Sequence, residues 1–403
     1  MDTGDTAWMI GASALVLIMT PGLAFFYGGL VRGKNMVNAI MLSFMAMAVI
    51  SVAWVLWGYS LAFGAGGRFI GDLSNIGMRG IAVDSLTGSI PTALFVIFQM
   101  MFAIITPALI TGAIVERFKF TTYILFLVLW MTFVYAPIAH WVWASNGWLF
   151  KLGALDFAGG TVVHINAAVA AVGAAAMVGK RRNPGVEPSN VPYVVLGAAL
   201  LWFGWFGFNA GSALHANGQA VSAFLVTNTA AAAAGLTWGM LSQLHRKRMS
   251  AVGVATAVVA GLVAITPASG YVGMMGSLGI GLGTGILCYI AVLLRPKTGL
   301  DDSLDVFAVH GVGGIWGSLA TGIFAVAAIG GTSGLIEGNG GQMTKQALGV
   351  LATLLWSGIV TLIILLVLKA IPGLGLRASE KEEDEGMDIS AHGERAVVHD
   401  GAD

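Results

Sequence analysis

The stretch Asp156-Phe157-Ala158-Gly159-Gly160-Thr161-Val162-Val163-His164-Ile165-Asn166-Ala167-Ala168 decides how the chain is read. An acidic residue opens a run of small and apolar residues, and an imidazole follows eight positions later. At 1.5 Å per residue a helix carries that histidine roughly 12 Å beyond the carboxylate, near the midplane of a bilayer. Ionisable groups are costly at that depth and rarely sit there without a function.

The surroundings support a membrane setting. Of 403 residues, 57% are hydrophobic and 10% charged, the mean hydropathy is +0.84, and apolar runs near twenty residues recur along the chain. The expected fold is an all-α polytopic membrane protein with eleven transmembrane helices. They are placed at about 7–31, 36–63, 91–115, 120–140, 157–179, 191–214, 219–242, 250–268, 272–294, 306–328 and 346–370. A formal net charge of zero points to no polyanion, so no nucleic acid is expected as a partner. The single Cys288 allows no internal disulfide. The acidic start Met1-Asp2-Thr3-Gly4-Asp5 lacks the basic region of a secretory signal, so the first apolar segment is read as retained.

Basic residues orient the spans. Arg32, Lys34, Arg117, Lys119, Lys180, Arg181, Arg182, Arg246, Lys247, Arg248, Arg295, Lys297, Lys369 and Arg377 fall on one side, against Arg68, Arg79, Lys151 and Lys345 on the other. The N-terminus is therefore expected outside and the C-terminus in the cytoplasm, in the plasma (inner) membrane. The Gly-rich outer connections 64–90 and 330–345 read as flexible loops. His140-Trp141-Val142-Trp143 and Trp148 read first as an interfacial aromatic belt. Glu380-Lys381-Glu382-Glu383-Asp384-Glu385 is a solvated charge run, disordered unless docked.

A repeat emerges from a second histidine. Asp305-Val306-Phe307-Ala308-Val309-His310-Gly311 again sets an aspartate before an apolar helix with one buried histidine. Five spans separate the two copies, so the halves, about 7–179 and 191–329, are inverted, and an eleventh helix follows. Inverted repeats commonly hold a transport site at their interface. A transmembrane domain 1–370 and a cytoplasmic tail 371–403 result.

Each candidate residue has a plainer reading. A buried histidine is often a hydrogen-bonded packing residue, but His164 and His310 at matching places in an inverted repeat point to a shared pathway. Burial favours neutral imidazoles, which can pass a proton without holding a permanent charge. Two imidazoles without a third ligand make a poor metal site, so no metal or cofactor is expected. No nucleophile–base constellation or phosphate loop supports an enzyme. Asp156 can cap a helix or touch substrate, with capping favoured, and Asp305 is read the same way. Phe98 and Phe102 share one helical face and suit core packing or an aromatic gate. Trp202-Phe203-Gly204-Trp205-Phe206-Gly207-Phe208-Asn209-Ala210-Gly211-Ser212 interleaves aromatics with glycine and ends on a hydroxyl. With Trp143, these groups can attract a cation without trapping it.

Together these motifs resemble the ammonium transporter family of Amt, Mep and Rh proteins, over about residues 5–395. Eleven spans with the N-terminus outside resemble the Amt branch. The resemblance implies a homotrimer with one pore per subunit and an outer recruitment site of Trp143, Phe102 and Ser212. It implies a gate of Phe98 and Phe208, pore-lining His164, His310 and Trp205, and Asp156 as the structural acid behind the outer site. The segment between Trp143 and Asp156 is one residue longer than in familiar relatives, which leaves Trp148 as the alternative tryptophan. Gly375-Leu376-Arg377, Gly386-Met387-Asp388 and His392-Gly393-Glu394 resemble the family's tail, which implies subunit coupling and a PII-type signalling partner.

The implied cargo is ammonium, with methylammonium as an analogue. It would be recruited outside, deprotonated, and passed as ammonia along the histidines, with coupled proton transfer left open. A sensor with little flux is the rival from another class. A channel for a neutral solute such as urea or carbon dioxide is a second rival.

Overall fold

The computed structural model describes residues 1–184 and 187–397; the end of the expected tail, 398–403, lies outside the described residues. Eleven helical spans appear in the expected order. They are α1 (Thr3–Leu30), α2 (Gly33–Phe63), α3 (Thr92–Ile114), α4 (Phe120–Leu152), α5 (Gly160–Val178), α6 (Val191–Gly211), α7 (Gly218–Arg246), α8 (Ala251–Ile265), α9 (Met274–Thr298), α10 (Phe307–Phe324) and α11 (Gly341–Ala370). Ten are long and apolar enough to cross a membrane. The exception, α8, has 15 residues and reaches only about 22 Å. Its residues from Ala257 to Ile265 are all buried, so protein rather than lipid covers its end.

Helix α4 extends past the expected 120–140. It runs to Trp143, turns at Ala144–Gly147 and resumes at Trp148. Gly147 is required there, because a Cβ would lie 2.1 Å from the His140 carbonyl oxygen. The aromatic-belt reading does not hold for this stretch. His140 is fully buried, its Nδ1 2.9 Å from the Ala62 carbonyl and its Nε2 2.7 Å from that of Gly67. Trp141 Nε1 donates to the Phe69 carbonyl at 2.6 Å. These residues tether the 64–90 loop, which also carries a short hairpin of β1 (Leu86–Thr87) and β2 (Ile90–Pro91). The tether replaces the free flexibility expected of a Gly-rich segment.

The two halves meet through corresponding helices. Helices α1 and α6 lie along each other, close enough that a Cβ on Gly197 would sit 2.3 Å from the Phe26 backbone nitrogen. Helices α5 and α10 cross where a Cβ on Gly314 would meet Ile165, the Gly160 carbonyl and His164 at 3.0–3.2 Å. Small residues thus let backbones approach in place of side-chain packing.

The tail docks beneath the bundle. Phe118 and Arg377 form a β-bridge, and Ser379 caps α12 (Glu380–Glu385) with a capping box to Glu382. In α13 (Met387–His392), the Asp388 carboxylate accepts from Asn38 N at 2.8 Å. Met387 N donates to Asn35 Oδ1 at 2.8 Å. The charge run is therefore an anchored helix: Arg182 pairs with Glu380 and Asp384, and Arg377 makes a two-pronged contact to Glu383 at 2.5 and 2.9 Å.

Candidate functional site

The site begins with how α5 starts. Gly159 adopts φ +116°, a left-handed turn that a side chain would strain, and this aims the first amides of α5 back at Asp156. Oδ1 accepts from the backbone N–H groups of Gly159 and Gly160 at 2.8 and 2.6 Å. Oδ2 accepts from those of Thr161 and Val162 at 2.8 and 3.3 Å, and from the Thr161 hydroxyl. A carboxylate so occupied is a cap, and the buried amide ends of α5 are satisfied by it. Gly160–Ile165 then forms a wide π turn that carries His164, and Phe307–Gly311 forms another that carries His310. Such turns recur at functional sites.

The second half corrects one expectation. Asp302, not Asp305, caps α10, accepting from Val306 N at 3.0 Å and Phe307 N at 2.7 Å. Asp302 stands eight residues before His310, as Asp156 stands eight before His164. Asp305 turns away with φ +60° and lies 2.6 Å from Arg295.

The two imidazoles meet Nδ1 to Nδ1 at 3.3 Å, with ring planes 24° apart. One nitrogen must donate and the other accept, so the two rings hold opposite tautomers. His164 Nε2 is buried without a partner. Both histidines line a narrow cavity otherwise built from apolar side chains, among them Met19, Leu23, Ile105, Leu109, Leu201 and Val259. Trp205 stacks on His164 at 5.5 Å and donates through Nε1 to Thr266 Oγ1 at 2.8 Å, which fixes its ring.

A file of rings leads from this cavity to the surface. Phe208 lies 6.1 Å from His164 and 4.3 Å from Phe102. Phe102 meets Trp143 edge-on at 5.6 Å. Beyond it opens a vestibule of about 440 Å³, lined by Phe102, Trp143, Ser212 and Asp156, together with Gln99, Gln219 and Tyr271. Ser212 Oγ donates to its own helix at the Phe208 carbonyl, 2.8 Å away, which leaves its lone pairs free. Trp143 Nε1 donates to the Asp156 carbonyl at 3.0 Å, so the Asp156 turn holds the tryptophan in place.

Eight of the nine expected site residues thus line the vestibule or the cavity, with one rearrangement. Phe102 and Phe208 are the rings between vestibule and cavity; Phe98 packs on Phe102 at 5.0 Å and lines neither space. Trp148 instead packs against Trp141 at 5.8 Å and does not reach the vestibule. Sequence reasoning missed Thr161, Thr266 and Asp302. The eight-residue aspartate–histidine spacing pointed to Asp302; nothing local pointed to the two threonines.

The opposite end of the file is a charged face. Glu116 lies between Arg32 and Arg181, 3.3 Å from each, and Arg181 pairs with Asp301 at 2.9 Å. The fully buried Arg117 donates to the carbonyls of Ala113, Val115, Gly179 and Asp301 and to Ser303 Oγ. Among the described residues, no group of three or more His, Cys, Asp or Glu side chains is arranged to hold a metal ion.

A family model described as the Ammonium Transporter Family matches residues 7–397. The chain belongs to the ammonium transporter family. It is 52% identical over 401 residues to an ammonium transporter of Aquifex aeolicus, an alignment covering 98% of this chain and 94% of that one. Its fold superposes on the crystal structure of Saccharomyces cerevisiae Mep2 with a TM-score of 0.88 at 41% identity, covering 94% of this chain and 88% of the other. A structure described as a sensor Amt protein gives 0.90 at 34% identity, covering 96% and 98%. The chain is accordingly a multi-pass membrane protein of a transporter family, not an enzyme.

Proposed function

We propose that this ammonium transporter family member strips its cargo of a proton on entry. Ammonium is recruited in the vestibule by the π faces of Trp143 and Phe102 and by the free lone pairs of Ser212. The Phe102–Phe208 pair, backed by Phe98, closes the way to anything keeping a hydration shell. Ammonia then crosses along His164 and His310 with Trp205 as a wall, while Asp156 holds Trp143 and the start of α5. The observation that carries the reading is the unbroken file of rings from vestibule to histidine pair.

The energetics favour this cargo. An intact cation in an apolar lumen costs roughly 3–17 kcal/mol, depending on water entry. Ammonium escapes much of that cost by deprotonating, and potassium cannot, so obligatory deprotonation is itself a filter. The histidine pair supplies a place for a proton to move: protonation at one end lets the shared Nδ1–Nδ1 contact reverse. Coupled proton transfer, hence a current, is the reading that this arrangement supports.

The vestibule end is taken as the outside and the arginine-rich face as the cytoplasm of a plasma membrane, by the bias of basic residues. Residues 1–370 form the transport domain, with inverted halves at about 7–179 and 191–329, and the tail from 371 is regulatory. Assembly as a homotrimer and a PII-type partner at the tail complete the reading. An ammonium pulse on proteoliposomes tests it: a transient for ammonium and not for potassium or urea is expected. His164→Leu or His310→Leu should lower the current at least tenfold or let potassium through; unchanged rate and selectivity in both variants would remove the histidines from the pathway.

A further inference from the structure

Gln99 is the one vestibule side chain, among the described residues, with a buried polar atom that has no partner. The residue is 8% exposed, its Oε1 is buried and unbonded, and it lines the same space as Phe102, Trp143 and Ser212. Two other polar side chains of the lining are engaged. Gln219 Nε2 donates to the Gly270 carbonyl at 2.9 Å, and the Asp156 carboxylate is occupied by the start of α5. Leaving a buried carboxamide oxygen without a donor costs free energy, and such a group in a native fold calls for a structural or functional reason.

The position is consistent with that. Gln99 precedes Phe102 by three residues on α3, so the two side chains are neighbours on one helical face. A half-turn about the last side-chain torsion exchanges the carboxamide oxygen and nitrogen, which lets the oxygen face the vestibule. Ammonium carries four N–H donors. The Ser212 hydroxyl can accept one and the rings attract the charge diffusely, so donors remain to be satisfied as water is shed.

We propose that the Gln99 carboxamide oxygen is a further ligand of ammonium in the vestibule and sets the preference for ammonium over methylammonium. This rests on the vestibule being the recruitment site. Methylammonium has one donor fewer and a methyl group to place, so it gains less from a second neutral acceptor. An amide also binds without a full charge, which keeps the cation from being held.

The test measures current against concentration for ammonium and methylammonium in proteoliposomes. Gln99→Leu should raise the half-saturating ammonium concentration about tenfold, the effect of one hydrogen bond to a charged group, and that of methylammonium distinctly less. The ratio of the two is a readout that general loosening of the site does not move. Gln99→Glu should do the reverse for ammonium, lowering the half-saturating concentration and slowing the maximal current, and it carries the test if the leucine variant does not fold. Equal shifts for both cations, or no shift with either variant, would overturn the proposal. Ser212→Ala separates the two levels: if it shifts ammonium and Gln99→Leu does not, only Gln99 loses its role; if neither shifts it, the vestibule is not the recruitment site.

Discussion

Helices α5 and α10 start alike and serve opposite ends of the molecule. Each begins with an aspartate cap, passes through a π turn and delivers a histidine eight residues on. The caps are unequal. Asp156 accepts from four backbone amides and a hydroxyl and is tied through its carbonyl to Trp143. Asp302 accepts from two amides, within a neighbourhood that already holds Arg117 and Arg295. Among the described residues the vestibule has no such network of Arg–carboxylate pairs in its lining, so a single carboxylate organises it. The other end distributes the same task over several ion pairs and a docked tail.

That inequality predicts a ranking. Asp156→Ala leaves four amides unsatisfied, and at about 1–3 kcal/mol for each such group, partly recovered by water from the vestibule, it should destabilise the protein by about 4 kcal/mol. Thermal unfolding in detergent measures this, and transport should fall with it because the turn that presents the main-chain carbonyl of residue 156 to Trp143 loosens. Asp302→Ala leaves two amides and should cost about half as much, about 2 kcal/mol. Equal losses would mean that the two caps are equivalent and the comparison is false. Asp305→Ala removes a contact to Arg295 whose side chains are 23% and 28% exposed but leaves no cap amide unsatisfied, and should cost no more than about 1 kcal/mol. A loss matching that of Asp302→Ala would restore Asp305 as the cap.

Between these lies Trp205→Phe, which keeps the ring against His164 but removes the donor to Thr266. The abandoned Thr266 hydroxyl still donates to the Leu262 carbonyl, so about 1 kcal/mol is expected. Selectivity for ammonium over potassium should survive, since the wall of the cavity remains. A loss of selectivity would move Trp205 from the wall of the pathway into its proton chemistry.

How far the fold was legible follows from the same two helices. Apolar runs and basic residues suffice to count spans, because lipid imposes a length and a composition. Only α8 escapes the length rule, since protein covers its end. The pairing of His164 with His310 was legible because inversion carries two matching positions to one midplane. Choosing Asp305 over Asp302 was an error of proximity in the run Asp301-Asp302-Ser303-Leu304-Asp305. A left-handed backbone at Asp305 cannot be read from composition, although the eight-residue spacing could have corrected it. Trp143 and Trp148 are indistinguishable without the turn at Ala144–Gly147, which aims one tryptophan at the vestibule and the other at Trp141. The tethering of the 64–90 loop by His140 is a long-range contact with no local signature.

The smallest effect concerns the docked tail, which only the charged end possesses. His392 packs edge-on against Phe120 at 4.7 Å, and its Nε2 lies 3.0 Å from Asn38 Oδ1. Burial holds its imidazole below the ordinary range, although the nearby Asp388 and Glu394 charges oppose this. The docked histidine therefore binds fewer protons than the free one between its lowered value and about 6.5, so docking strengthens as pH rises through that window and weakens as pH falls through it. Burial raises Asp388, which acts in the opposite sense from about 3.8 upward. Hydrogen exchange at 387–392, corrected for the intrinsic rate, should accelerate a few-fold between pH 7.5 and 5.5. His392→Gln should abolish that acceleration and leave only the Asp388 background. Acceleration at the Asp156 turn over the same range, where no histidine takes part in the cap, would show that pH acts on the whole bundle and that the two ends are less independent than their hydrogen bonds imply.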